Sequence, residues 1–337
     1  MRYGSIIRAC RIVAGALAGV ILLLLAVTAI GDILIGRANP PVGQFIDTTS
    51  GRQHVLDVGP DNGAAAPAPA VVLLHGANAN LGDMRLALAS RLRARYRVIA
   101  IDRPGHGWSE RAGGAADASP QRQAAVVREI LGKLGVRRPI LIGHSWGGAL
   151  ALAYALDHPD ELSGLVLLAP ASHPWARPIP WYAAPAHVPW LGRPLVYTLA
   201  LPLGYLVLNR VVDHVFAPQS VPAVYVERAS IRLALRPAAI VANSEDVGWL
   251  EAFLAAQAAR YAQIKTPTVI VTGTADHVIS PRVHARALAA ELPQARLVVL
   301  SGIGHMLHHA ATERVVAAID ALAEADRGIT ADPAAGR

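Results

Sequence analysis

The pentapeptide GHSWG at residues 143–147 contains a serine that could act as a nucleophile. A short apolar run precedes it, and alanine and leucine at helical spacing follow it, which is the strand–turn–helix setting of a nucleophile elbow. Such a turn strains the serine backbone and leaves no room for side chains two residues away, where Gly143 and Gly147 stand. A serine among glycines also occurs in purely structural turns, but this setting favours a catalytic Ser145.

Buried-strand patterns alternate with helical patterns on both sides of this motif. The apolar runs lie at 70–76, 96–102, 139–145, 162–170, 266–276 and 295–305. Helix-compatible segments lie at 85–95, 119–135, 281–292 and 312–325. A hairpin pattern at 44–59 precedes them all. The alternation predicts an α/β fold with a mostly parallel, doubly wound sheet that helices cover on both faces.

Four motifs occur in the order in which the α/β-hydrolase fold family has them. They are HGA at 75–77, DRPGHGWS at 102–109, GHSWGG at 143–148, and a late Asp and His that each follow a strand. Over roughly residues 44–325 the chain resembles that family, in particular its capped members related to esterases, epoxide hydrolases and haloperoxidases. The resemblance implies an α/β-hydrolase sheet with a helical cap insertion, and it says little about the substrate.

In that family the catalytic triad runs serine, acid, histidine along the chain, which selects Ser145, Asp276 and His305 here. Each stands just beyond the carboxyl end of a predicted parallel strand, and these ends share one edge of the sheet. His305 would take the serine proton, since imidazole titrates near neutrality, and Asp276 would orient the imidazole. Asp276 could alternatively cap the turn that follows it.

Acyl transfer also needs hydrogen-bond donors for the oxyanion, and the resemblance places them on the backbone N–H groups of Ala77 and Trp146. Trp108, Trp175 and Trp181 are candidates for the pocket wall, and the Trp146 side chain is expected to face the pocket as well. The dehalogenase and epoxide-hydrolase branches share a tryptophan after the nucleophile, but their nucleophile is a carboxylate. A serine at that position favours attack on an acyl carbonyl.

No cofactor is expected, because a serine nucleophile with its base needs none. The stretch HMLHH at 305–309 has i, i+3 and i+4 spacing, but neither a second cluster nor a suitable carboxylate is evident, so no metal site is predicted. We expect His308 and His309 at the surface or the pocket rim. The single cysteine, Cys10, excludes an intrachain disulfide.

Composition narrows the class of partner. With 53% hydrophobic and 16% charged residues, the chain is globular rather than disordered. The formal charge of +7 comes from scattered arginines that form no basic stripe with interleaved aromatics, so nucleic-acid binding is not expected. The expected partners are a small, lipophilic ester substrate and a membrane.

The membrane contact is predicted from an uncharged run at 12–30, which has about the ~20 residues of a bilayer-spanning helix. Arg2, Arg8 and Arg11 precede this run, while Asp32 and Arg37 follow it and nearly cancel. The N-terminus is therefore expected in the cytoplasm and the catalytic domain on the exported side. A cleaved signal peptide, which would give a secreted protein, is the alternative. Its apolar region is usually shorter, so we favour an uncleaved signal anchor.

These patterns divide the chain into a membrane anchor (1–37), a first core part (38–170), a helical cap (171–264), a second core part (265–326) and a tail (327–337). Within the cap, residues 193–212 are strongly apolar, although Pro202 and Gly204 interrupt them. A second transmembrane helix there would put the last strands on the opposite membrane face from Ser145. We therefore favour cap helices over a lipophilic pocket.

Together these features predict a serine hydrolase that cleaves carboxylic esters of hydrophobic substrates through an acyl-enzyme on Ser145. The same triad would serve a cofactor-free perhydrolase or acyltransferase, in which peroxide or another alcohol replaces water. A non-catalytic binding protein on the hydrolase fold is a further hypothesis. It predicts that a triad member is missing, whereas all three are present in the sequence.

Overall fold

Eight strands form one sheet in the computed structural model, which describes residues 2–60, 69–175 and 188–331. The strands are β1 (Gln44–Thr48), β2 (Gly51–Val58), β3 (Val71–Leu74), β4 (Val98–Ile101), β5 (Ile140–His144), β6 (Gly164–Leu168), β7 (Thr268–Gly273) and β8 (Arg296–Leu300). Their order across the sheet is β1-β2-β4-β3-β5-β6-β7-β8. Pairing is parallel from β4 to β8, and the β1–β2 hairpin joins this sheet antiparallel to β4.

Helices occupy the connections between the strands and both ends of the described chain. They are α1 (Arg2–Ala38), α2 (Leu81–Met84), α3 (Ser90–Leu92), α4 (Pro120–Lys133), α5 (Trp146–Asp157), α6 (Pro189–Leu195), α7 (Leu201–Phe216), α8 (Tyr225–Arg228), α9 (Pro237–Ala258), α10 (Ala287–Glu291), α11 (Leu307–Ala310) and α12 (Thr312–Ala331). A π-helical turn joins α2 to α3, and another joins α6 to α7. Helix α12 ends at Ala331, so it continues beyond residue 326, where the tail was predicted to begin.

The sheet buries both of its faces because successive residues of a strand point to opposite sides. In β3, Val72 and Leu74 pack into an apolar cluster with α4 and α5, whereas Val71 and Leu73 pack into a second cluster with α12. All four side chains are fully buried, as expected for a parallel strand covered on two faces. The predicted mostly parallel, doubly wound sheet is confirmed.

In its described part, the chain between β6 and β7 contains the helices α6 to α9 and no strand. Helix α7 turns four apolar side chains inward, from Leu201 to Phe216, where they meet Tyr225 of α8 and Met306 of the loop after β8. Residues 190–216 are long and apolar enough to cross a membrane, and their most apolar 18-residue stretch has a mean hydropathy of 1.6. The inward-facing side chains nevertheless attach this segment to the catalytic core. For brevity we call residues 188–264 the cap segment.

Helix α1 contains the predicted apolar run and extends it at both ends. The most apolar 18-residue stretch within residues 6–38 has a mean hydropathy of 2.7, so the helix suits a membrane anchor or a signal sequence. Its C-terminal half packs against the rest of the protein: Ile35 joins the apolar cluster of α7. Asp32 Oδ1 also accepts a 2.7 Å hydrogen bond from the Arg236 guanidinium at the start of α9.

A buried ion pair fastens the cap segment to the core. Asp246 of α9 lies 2.6 Å from Arg103 Nη1 in the loop after β4 and 2.8 Å from Arg111 Nη1. Gln123 of α4 donates a further hydrogen bond to the Asp246 carboxylate. Arg103 and Asp246 are both fully buried. A buried cation without its carboxylate is costly, so the position of α9 on the core depends on this contact.

We expect Asp246→Asn to destabilise the protein by about 3–5 kcal/mol, because it leaves the Arg103 charge buried without its counter-charge. Asp157→Asn is the control. It removes the carboxylate of a solvent-exposed pair with Arg260 and should cost at most about 1 kcal/mol. Denaturant unfolding of the detergent-solubilised full chain measures both variants. Equal losses of stability would show that the buried pair does not hold the cap segment in place.

Candidate active site

Ser145 occupies a strained turn between β5 and α5. Its backbone has φ +52° and ψ −115°, a region that residues with a side chain rarely adopt. Three hydrogen bonds hold the turn: the Ser145 N–H donates to Leu168 O at 2.9 Å, and Ser145 O accepts from the N–H groups of Gly148 and Ala171. The strand–turn–helix geometry of a nucleophile elbow is therefore present around this serine.

The glycines around Ser145 are required by close approaches of backbone. A Cβ on Gly143 would lie 2.3 Å from the carbonyl oxygen of Gly147, inside the turn itself. A Cβ on Gly147 would lie 2.4 Å from Leu74 O and 2.7 Å from His75 O, at the end of β3. The start of α5 thus lies directly against the loop after β3, and this contact sets the distance between the two predicted oxyanion donors.

Asp276 and His305 meet because the loops after β7 and β8 are packed together. Backbone hydrogen bonds join Ala275 N to Ile303 O at 2.9 Å and Thr274 N to Leu300 O at 2.9 Å. At this position Asp276 Oδ2 lies 2.8 Å from His305 Nδ1, and both residues are buried. A proton on Nδ1 leaves Nε2 of His305 as the free base of the ring.

Asp276 makes both of the contacts considered for it, one with the following turn and one with His305. Its Oδ1 atom accepts hydrogen bonds from the N–H groups of Val278 and Ile279, each at 2.9 Å, and so caps the following turn. Its Oδ2 atom faces His305. The cap fixes the orientation of the carboxylate, which in turn fixes the plane in which His305 is held.

His144 links this pair to the serine. The ring of His305 packs on the ring of His144, with centroids 4.7 Å apart, and His144 immediately precedes Ser145 in the chain. Burial lowers the pKa of His144 well below its ordinary value, so this ring is neutral. Its Nε2 lies 3.1 Å from His305 O and can donate to it. The stacking places the His305 imidazole beside the elbow.

The predicted oxyanion donors lie on two adjoining segments. Trp146 is the first residue of α5, so its N–H belongs to the first turn, which has no intrahelical acceptor. Ala77 follows the HG dipeptide after β3, against which Gly147 packs. The two N–H groups thus lie on segments in direct contact, at the positive end of a helix.

Arg103 holds both of these segments, and this role was not predicted from the sequence. Its Nε donates to His75 O at 3.1 Å and its Nη2 to Gly76 O at 3.2 Å. Its guanidinium also stacks on the indole of Trp146, 4.0 Å from the ring centroid. The Trp146 side chain is 1% exposed and donates to Asp246 O, so it packs against this network rather than lining a pocket as expected.

His75 completes the support of the loop. Its Nδ1 donates to Gly76 O at 2.8 Å, while its Nε2 accepts from the Arg103 N–H at 3.0 Å. Burial, and after it the Arg103 cation, lower the pKa of His75 well below its ordinary value. Gly76 O and the Ala77 N–H belong to one peptide group. Donors at the oxygen polarise that group and strengthen its N–H as a donor.

Two of the three predicted pocket tryptophans lie within the described residues. Trp108 donates from Nε1 to Asn39 O at 2.9 Å and stacks on Arg236, so its side chain joins the core to the end of α1. Trp175 packs edge-on against His284. Trp181 lies outside the described residues. The pocket role of these tryptophans stays a prediction.

His308 and His309 were expected at the surface or the pocket rim, and this expectation does not fit His308, which is fully buried. Nε2 of His308 lies 3.0 Å from Asp83 Oδ2, and Nε2 of His309 lies 2.8 Å from Asp83 Oδ1, which also accepts from the Tyr225 hydroxyl. The sequence showed no suitable carboxylate near HMLHH, but folding brings one there from α2.

This Asp83 cluster has the residue types and spacing of a metal site, since its ligand atoms lie within 4.8 Å of one another. Burial alone would raise the pKa of Asp83, but contacts with His308 and His309 lower it well below its ordinary value. An ionised carboxylate with three donors is the usual state of a satisfied buried acid. Hydrogen bonding therefore accounts for the cluster on its own.

The α/β-hydrolase fold family model matches residues 69–311, well over half of the chain. The chain therefore belongs to the α/β-hydrolase fold family, a family of hydrolases.

Individual relatives are distant and differ in activity. The chain is 26% identical to haloalkane dehalogenase 2 of Mycobacterium tuberculosis over 292 residues, which cover 83% of this chain and 94% of that protein. Among solved structures it is similar to a membrane phospholipase A, with a TM-score of 0.61, 23% identity and coverage of 96% of this chain and 97% of that one. It is also similar to the enol-lactonase of Burkholderia xenovorans, with a TM-score of 0.65, 23% identity and coverage of 82% and 98%.

Buried histidines make the stability of the fold depend on pH. Burial is the largest cause that lowers the pKa of four of them in the folded protein: His75, His106, His144 and His308. In the unfolded chain each has a pKa of about 6.5. The unfolded state therefore binds more protons once the pH falls below that value, and stability is lost as the pH decreases.

We expect the free energy of unfolding to be nearly level above pH 7 and to fall between about pH 6.5 and pH 5, by up to about 1.4 kcal/mol per pH unit for each such histidine. Unfolding of the full chain in detergent at pH 5 to 8 measures this slope. His106→Gln should make the slope shallower, whereas His214→Gln, at an exposed position of α7, should leave it unchanged. A slope that the His106 variant does not alter would contradict the assignment.

Proposed function

We propose that this protein is a serine hydrolase that cleaves carboxylic esters of hydrophobic substrates. The observation that carries the proposal is the strained backbone of Ser145, at the join of β5 and α5, beside a His305–Asp276 pair joined at 2.8 Å. Strain of this kind persists where surrounding structure over-determines it, and it is concentrated at functional sites.

The mechanism follows from the donors and acceptors at this edge of the sheet. Nε2 of His305 takes the proton of the Ser145 hydroxyl while Oγ attacks the acyl carbonyl carbon. The imidazolium that forms is stabilised by Asp276 through Nδ1. The oxyanion is held by the N–H groups of Ala77 and Trp146. His305 then protonates the leaving alcohol, and a water deprotonated by the same histidine releases the acid from the acyl-enzyme.

The nucleophile separates this proposal from dehalogenation. Haloalkane dehalogenases resembled by this chain use a carboxylate, because displacement of halide from carbon yields an alkyl ester. A serine in the same place yields an acyl-enzyme, which requires a substrate with an activated carbonyl. Ser145 therefore supports ester cleavage over halide displacement.

We also propose that α1 anchors the protein in a membrane, with the catalytic domain on the exported side. The excess of arginines before the apolar run supports this orientation. The buried Thr28, whose hydroxyl donates to Thr198 O in the cap segment at 3.4 Å, supports a retained helix, because a cut after Ala29 would remove this contact. A lipophilic ester dissolved in the same membrane would then be the natural substrate class.

Asp276→Asn separates the catalytic role of this residue from its capping role. The amide retains an oxygen for the N–H groups of Val278 and Ile279, but its NH₂ group can no longer accept from His305 Nδ1. We expect kcat to fall by about 10³–10⁴ with a change in stability within about 1 kcal/mol, since the cap is kept. Ester hydrolysis and denaturant unfolding of the same preparation test this. A loss of activity that only follows a loss of folded protein would contradict the triad role.

Labelling with a fluorophosphonate probe tests the nucleophile directly. The full chain in detergent should be labelled, and Ser145→Ala should abolish labelling. Ser163→Ala is the matched control, because Ser163 is also buried and its hydroxyl has no partner among the described residues; it should be labelled like the wild type. Hydrolysis of aryl esters of increasing acyl length would then define the acyl preference. The proposal would be contradicted if the folded protein is not labelled, or if the Ser145→Ala variant is labelled as well as the wild type.

A further inference from the structure

The cap segment exposes a broad apolar surface on α6, α7 and the turn between them. Its two most exposed large side chains are Trp190 at 78% and Leu206 at 77%. Six further large apolar side chains of these elements are exposed by nearly half. We call this surface the cap face and define it by six of its residues: Trp190, Leu195, Tyr197, Leu203, Tyr205 and Leu206. Proteins in water rarely keep a continuous apolar surface of this kind without a partner.

Helix α1 shows at which level a bilayer would lie. The uncharged run 12–30 spans about 28 Å as a helix, close to the ~30 Å core of a bilayer, and its residues 12–23 are exposed on every side. From Leu24 onward, one stripe of α1 at helical spacing is covered by protein: Leu24, Thr28, Gly31 and Ile35. The covered stripe thus begins in the last two turns of this run, on the side where the bilayer core would end.

The cap face lies at this same level. Thr28 Oγ1 donates to Thr198 O at 3.4 Å, in the turn between α6 and α7. One turn further along α1, Gly31 lies against Leu201, so that a Cβ on Gly31 would be 2.9 Å from that side chain. The pair Asp32–Arg236 follows directly and marks the aqueous side. Residues 195–206 therefore stand where α1 leaves the apolar layer.

The chemistry of the cap face suits a lipid interface. Trp190, Tyr197 and Tyr205 belong to the residue types that are enriched at the boundary between headgroups and acyl chains. No acidic residue occurs from 189 to 212, whereas Arg193 and Arg210 flank the apolar stretch. Arginine side chains at such positions can extend to anionic headgroups while their stems stay in contact with apolar groups.

We infer that the cap face is a second membrane contact, which rests in the interfacial layer of the bilayer that α1 crosses. The inference rests on the proposed anchoring by α1 and is independent of the assignment of Ser145. It also orients the catalytic edge. Trp108 lies in the loop after β4, at the carboxyl edge of the sheet, and bonds to Asn39 at the end of α1. The edge that holds the triad therefore faces the membrane, and substrate would enter from the lipid side.

Spin labels at single cysteines in the full chain test this contact. In a Cys10→Ser background, one label is placed at Leu206→Cys and one at Leu17→Cys in α1. A control label is placed at Glu324→Cys, on the exposed end of α12. After reconstitution into phosphatidylcholine–phosphatidylglycerol vesicles, collision rates with oxygen and with a water-soluble nickel chelate are measured for each label. We expect the ratio of the oxygen collision rate to the nickel-chelate collision rate to be severalfold higher for the labels at 206 and 17 than for the label at 324.

Two outcomes would overturn the inference while leaving the catalytic proposal intact. A label at 206 that collides with the nickel chelate as freely as that at 324 would show that the cap face stands in water. A label at 206 shielded from both reagents would show that protein, such as a second copy of the chain, covers it. Leu203→Glu should shift the 206 label towards the nickel chelate severalfold, whereas Leu203→Met should not, because only the charge opposes insertion.

Discussion

The buried guanidinium of Arg103 is the interaction on which the catalytic edge of the sheet depends. Removing a cation from water costs several kcal/mol unless it is paired and hydrogen-bonded. Here the charge is satisfied by Asp246, by the carbonyls of His75 and Gly76, and by the face of Trp146. These partners come from α9, the loop after β3 and the start of α5. Satisfying one charge therefore fixes three segments relative to one another, including both predicted oxyanion donors.

Local patterns in the sequence predicted the sheet and the elbow, and the family resemblance selected Asp276 and His305 as a pair. The sheet and the elbow follow from short-range rules: apolar runs alternate with helical patterns, and glycines stand where the turn brings backbone close to backbone. The partners of Arg103 and Asp83 could not be predicted, because they are distant in the sequence. Asp246 follows Arg103 by 143 residues, and His308 follows Asp83 by 225 residues. No periodicity marks such a pair, and its members are recognised as partners only once the fold brings them together.

The histidines around the triad show how one residue type takes opposite electrostatic roles. In the proposed mechanism His305 becomes an imidazolium, and the carboxylate of Asp276 would stabilise that charge. His144, packed against it, is kept neutral by burial and donates to the backbone of His305. A neutral ring adds contact without adding positive charge. The arrangement can therefore hold the catalytic ring rigidly and still allow it to accept a proton.

The end of α1 is part of the fold as well as an apolar segment. Cleavage as a signal peptide, for example after Ala29, would leave only about nine residues of this helix, and isolated helices of that length are marginal. Those residues include Ile35, which packs on α7, and they are followed by Asn39, whose carbonyl accepts from Trp108. Trp108 lies in the loop after β4, only five residues beyond Arg103. The loop after β4 therefore connects the contact with the end of α1, through Trp108, to the support of the predicted oxyanion donors, through Arg103. This connection favours retention of the whole helix.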